Sequence, residues 1–130
     1  MERAPALAVA FTLASLPFLL PHVIEDFHLG IAARVGLPAD VGASFLGFGL
    51  AAQLLGLVLT AQGRRAGLAI LAVASTVWTI GSVWEHGLPL LVDGLDFRGR
   101  AQSALWAGGL LVTQALAAAC AWTGLLRWPR

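Results

Sequence analysis

His22, Glu25 and Asp26 stand at i, i+3 and i+4 within LPFLLPHVIEDFH (16–28), so a helix carries all three on one face over a single turn. Sixty residues further on, SVWEH (82–86) adds Glu85 and His86 in similarly apolar surroundings. Imidazoles beside carboxylates supply a proton acceptor next to a proton donor, the minimum for acid–base catalysis. His22, Glu25, Asp26, Glu85 and His86 are therefore the candidate catalytic residues. The same atom types bind zinc, iron, copper or manganese, which makes His22, Glu25, Glu85 and His86 a candidate ligand set. His22 and His86 could also bracket a haem. No cofactor is required by the sequence.

Each of these residues has a blander reading. Glu25 and Asp26 could simply be solvated acids at a helix terminus, and His28 a loop residue. His22 could satisfy a carbonyl that Pro21, lacking an N–H, leaves free. Against this, an uncompensated charge in lipid costs at least roughly 2.5–3.5 kcal/mol. Acids embedded in oily sequence must pair, face water, bind something or be neutral.

The surroundings are oily throughout. Of 130 residues, 58% are hydrophobic and 12% charged, with no lysine, and the mean hydropathy is +0.82. A soluble domain carries roughly 25% charged residues, so the expected solvent is a bilayer. Four segments, about 5–24, 41–62, 66–91 and 103–126, reach the length needed to span it. The expected fold is all-α, a single membrane domain (1–130) forming a four-transmembrane-helix bundle. The first segment is too long for a signal peptide's apolar core and reads as a retained helix. Pro17 and Pro21 are expected to bend or loosen its end. Cys120 is the single cysteine, which excludes an intramolecular disulfide.

If the helices alternate, Arg3, Arg64, Arg65, Arg127 and Arg130 lie at one end and Arg34, Arg98 and Arg100 at the other. The positive-inside rule then places both termini in the cytoplasm, in an inner or plasma membrane. Six of the seven acids and all three histidines fall toward the outer end. Glu25 and Glu85 are then expected to face one another, with Trp78, Trp84 and Trp106 as an apolar wall. Gln53 and Gln114, near mid-membrane, serve either as ligand contacts or as hydrogen-bonding glue between helices.

The halves show a faint internal match. HVIED (22–26) aligns with SVWEH (82–86), and Gly47, Gln53 and Gly63 align with Gly108, Gln114 and Gly124. Two tandem hairpins would give such a pattern. Glycines 42, 49, 56 and 63 recur every seven residues along the second span, a spacing that lets helix backbones approach closely.

The HVIED segment resembles the opening of the HXXEE family of small polytopic membrane proteins, with Asp26 in place of the second glutamate. There is also a fainter likeness to EXPERA-type membrane proteins, a group that includes sterol isomerases and sterol-ligand receptors. The first-helix spacing differs from theirs, so the likeness implies a type of site, a histidine and acids around a lipophilic ligand, and no particular substrate.

The readings open at this point are several. One is a membrane-embedded enzyme of isomerase-like acid–base type, or a binder of a hydrophobic small molecule. Another is a structural or accessory subunit, as a homodimer or within a larger membrane complex, with its acids solvated or paired to Arg34, Arg98 or Arg100. A third is a metal or haem protein, and a fourth is transport, which lacks a deep ionisable group. No P-loop, Ser/His/Asp arrangement or nucleic-acid signature is present, so nucleic acid is not an expected partner.

Overall fold

A computed structural model describes residues 3–128, and Arg130, one of the arginines used above for orientation, lies outside them. The described residues contain helix and no strand: α1 (Arg3–His28), α2 (Ile31–Arg34), α3 (Ala39–Ala61), α4 (Arg65–Ser82), a π-helical turn (Val83–Gly87), α5 (Leu88–Asp93), a 3₁₀ segment (Gly94–Gly99) and α6 (Ala101–Leu126). Four helical stretches, Arg3–His28, Ala39–Ala61, Arg65–Gly99 and Ala101–Leu126, are long and apolar enough to cross a membrane.

Two boundaries differ from the sequence expectation. α1 continues through Pro17 and Pro21 to His28, so Glu25 and Asp26 lie inside the helix rather than beyond its end. Surrounded by apolar side chains, the backbone gains little by leaving its own hydrogen-bond ladder, even where two prolines each remove a donor. The third span also outlasts its predicted end at 91, passing through the π-turn and α5 into the 3₁₀ segment.

The packing order follows where small residues lie. α6 packs most extensively against α1 and α4, and α3 against α4. On α6, a Cβ added to Gly109 would strike the Phe18 ring, and one on Gly124 would meet Leu68 and Pro5. The heptad glycines work inside the chain: Gly42 faces Ala32, Gly49 faces Trp78, and Gly56 faces Ile70 and Leu71. Gly63 takes φ +73° in the turn from α3 to α4. By contrast, α1 and α3 touch lightly, and a cavity of about 180 Å³ separates them. The hairpin expected from the first two spans is therefore the loosest side of the bundle, and α1 leans on α6 instead.

Inward faces recur every three to four residues. On α1 they are Pro5, Ala8, Thr12, Ser15, Leu19, His22 and Asp26. On α6 the series includes Ser103, Ala107, Leu110, Gln114, Ala121 and Gly124. A small apolar core of Ala8, Leu57, Leu68, Leu71, Ala72 and Ala121 fills the end near the termini. Polar residues occupy the middle and the opposite, distal end.

Candidate functional site

At the distal end, α1 presents His22 and Asp26 on its buried face, one turn apart. The partner histidine arrives on the π-turn. In a regular helix the nitrogen of Pro89 would have to donate to the Glu85 carbonyl, and it has no N–H to do so. The chain widens to a π-turn here, a feature often found at functional sites. Within that turn His86 points inward, 5% exposed, while Trp84 is left 87% exposed. The His22 and His86 rings then meet edge to face, 4.5 Å between centroids.

Asp26 joins them. Its Oδ2 lies 3.3 Å from Nε2 of His22 and 3.3 Å from Nε2 of His86. Its Oδ1 accepts from Arg98 Nη2 at 2.6 Å. The other guanidinium nitrogen of Arg98 donates to Glu25 Oε2 at 3.0 Å, and Ser103 Oγ donates to Glu25 Oε1. The Arg98 guanidinium lies 4.9 Å from the centre of the Phe97 ring. Arg98 holds this position at φ +58°, a left-handed backbone that costs a non-glycine residue of order 1 kcal/mol. Two carboxylates forked by one guanidinium, with an aromatic face beside it, give a reason for the strain to persist.

One pair of neutral tautomers meets all of these contacts. An ionised carboxylate only accepts, so the two Nε2 atoms facing Asp26 carry protons. In neutral rings Nδ1 is then an acceptor, and Arg98 Nη2, a donor, lies 3.3 Å from Nδ1 of His86. Nδ1 of His22 is buried and has no partner among the described residues. It is the one uncommitted base of the cluster. A carboxylate behind an imidazole orients the ring and stabilises its protonated form, the role such carboxylates play behind catalytic and metal-binding histidines.

A cavity of about 160 Å³ opens beside this group, with His22, Asp26, Trp78, Ser82, Glu85 and His86 among its walls. Ligand atoms of His22, Asp26 and His86 lie within 4.8 Å of one another, close enough to hold a metal ion. The fit is poor. A metal at both Nε2 atoms would require Nδ1 of His86 to carry the proton and face the Arg98 donor. It would also set a cation beside a guanidinium that already neutralises Asp26.

The predicted site residues divide. His22, Asp26 and His86 meet, and Trp78 walls their cavity. Glu25 stands behind Arg98 and does not line the cavity. Glu85 lies on its wall but pairs with Arg34 at 3.0 Å, across a half-exposed contact. The expected convergence of Glu25 and Glu85 is thereby corrected: each has its own arginine. With both engaged, the candidate metal set loses Glu25 and Glu85 and takes in Asp26. Trp84 does not form a wall, because the π-turn directs it outward, and Trp106 is half-buried on α6 outside the cavity lining. Gln53 and Gln114 are fully buried deeper in the bundle, and Gln114 Nε2 donates to Ser15 Oγ at 2.8 Å, joining α6 to α1.

Arg98, Phe97 and Ser103 were not identified as site residues by sequence reasoning. For Phe97 and Arg98 the signal is the segment DFRGR (96–100), an arginine followed by glycine where a span ends. The site lies at one end of a helical bundle whose four long helices are apolar enough to cross a membrane. Comparison with protein-family models, curated proteins and solved structures finds no match for this chain.

Proposed function

We propose that the distal end of the bundle is an acid–base site for a lipophilic molecule with a small polar end, facing the non-cytoplasmic side while both termini lie in the cytoplasm. The observation that carries this reading is the buried His22–Asp26–His86 group, set in the wall of a cavity. His22 accepts a proton or hydrogen bond from the bound molecule. Asp26 orients both rings, His86 bridges Asp26 and Arg98, and Glu25 with Ser103 holds Arg98 in place. On this reading the HVIED motif, with its resemblance to the HXXEE family, opens and closes on working residues, His22 and Asp26.

The test is retention of a small molecule. Protein extracted from its native membrane directly into nanodiscs is analysed by mass spectrometry for co-purifying lipophilic compounds. A compound enriched with the wild-type chain and lost from both His22→Ala and Asp26→Asn is the expected result. An inventory identical in all three would end the proposal.

A second reading, an accessory subunit without catalysis, draws on the pairing of Glu25 and Asp26 with Arg98 and of Glu85 with Arg34. It expects those same two variants to co-purify the same partner proteins as wild type, with no change in small molecules.

A further inference from the structure

We infer that the cleft between the start of α1 and the last turns of α6 binds one anionic phospholipid, its phosphate held between Arg3 and Arg127. This site lies at the opposite end of the bundle from His22 and stands independently of the proposed function.

The first observation is where charge falls. Arg3, Arg64, Arg65, Arg127 and Arg130 belong to the end that carries the termini, against a single acid, Glu2, and the other six acids belong to the distal end. Neither Arg3 nor Arg127 has an ion-pair partner among the described residues. Both are exposed. They stand at the ends of helices long and apolar enough to cross a membrane, which sets them at the depth of lipid headgroups.

The second observation brings the two together. α1 and α6 run antiparallel and touch where a Cβ on Gly124 would meet Pro5 at 3.4 Å. Arg3 stands two helical rises outside that contact and Arg127 three, about 3 and 4.5 Å along their axes. The two arginines therefore leave neighbouring helices at one level. Both line a cleft of about 260 Å³, with Leu7, Ala119, Cys120 and Thr123 among its other walls.

The third observation is the gradient within the cleft. Thr123 Oγ1 already donates to the Ala119 carbonyl at 2.7 Å, so the strong donors in the lining are the two guanidiniums at its mouth. Beneath them the walls are Leu7, Ala119 and Cys120, and Ala119 lies eight rises, about 12 Å, from Arg127. A cationic mouth over an apolar floor fits a phosphate that continues into glycerol and acyl carbons, whereas a free phosphate would leave the floor empty. Guanidinium forks match phosphate oxygens two at a time. Two positive charges at the mouth disfavour a choline or ethanolamine head, which brings a cation of its own. Basic clefts between membrane helices are recurrent sites for anionic headgroups.

The experiment uses the full chain in a neutral detergent, titrated with phosphatidylglycerol or with phosphatidylcholine of the same chains, and native mass spectrometry counts the lipid retained. One phosphatidylglycerol should bind ahead of any phosphatidylcholine. Near a membrane surface each arginine contributes about fivefold for an anionic lipid. Arg3→Gln and Arg127→Gln should therefore each weaken phosphatidylglycerol about fivefold, and the two together about thirtyfold. Arg64→Gln with Arg65→Gln removes as much charge from the same end but outside the cleft, and should cost clearly less. Ala119→Phe keeps every charge and should weaken the lipid by filling the floor.

Equal loss from the Arg64 and Arg65 pair would make this end a diffuse basic surface and overturn the inference. So would equal retention of the two lipids by the wild-type chain. Unchanged binding in Ala119→Phe would refute the apolar floor, and full competition by inorganic phosphate would assign the arginines to a soluble anion instead of a lipid.

Discussion

At the distal end, Glu25, Asp26 and Glu85 each have an arginine nitrogen within 3.0 Å. Near mid-bundle, both amide atoms of Gln53, Oε1 of Gln114 and the hydroxyls of Thr12 and Ser75 have no partner among the described residues. The second layer lies about 16 Å below the first, eleven helical rises from Asp26 to Ser15, and the Ser15–Gln114 bond ties α1 to α6 there. Both layers are buried and polar in an apolar chain, yet the carboxylates of one are all paired and the polar groups of the other are mostly without partners. The contrast tracks the cost of being unpaired. A buried ion without a partner is far more expensive than a buried amide or hydroxyl, so only the ions had to be paired throughout. The distal layer then rigidifies a site, while the middle layer joins helices through one or two bonds.

That comparison is open to mutation, measured as thermal stability in detergent. The largest effect is expected for Arg98→Met, which leaves Glu25 and Asp26 buried together without a cation. Removing one partner of a buried ion pair typically costs about 3–5 kcal/mol. Adding Glu25→Gln and Asp26→Asn to Arg98→Met should restore most of it, and no restoration would mean that the arginine acts chiefly through the loop fold. Gln114→Leu should cost about 1 kcal/mol through loss of its bond to Ser15. Glu85→Gln should cost less than about 1 kcal/mol, because its pairing with Arg34 is half-exposed. Gln53→Leu should be neutral or slightly stabilising, since it removes two unpartnered polar atoms at no loss of a bond. A large destabilisation by Gln53→Leu would show that the middle layer is as tightly specified as the distal one.

Much of this was written in local pattern. The spans follow from apolar length, and the shared face of His22 and Asp26 follows from their four-residue spacing. His86 falls at a matching level because the spans alternate. Arg98 was legible as a charge at the right end, but its role depends on a left-handed backbone in a 3₁₀ segment, which no periodicity encodes. The separation of Glu85 from Glu25 depends on the π-turn, whose trace in sequence is one proline four residues later. The choice of α6 over α3 as the neighbour of α1 was hidden too, because glycines and alanines lie on every span and only three-dimensional packing shows which of them meet.

The π-turn at Val83–Gly87 also constrains how a chain of this kind can change length. Each added or lost residue in a regular helix swings everything beyond it by about 100°. An insertion in the middle of α4 would therefore carry His86 out toward lipid, whereas the wide turn already holds slack that a neighbouring deletion could take up. Sequence drift in this span is most easily absorbed right beside the two imidazoles, which makes the stretch nearest the chemistry the natural place to look for indels among relatives.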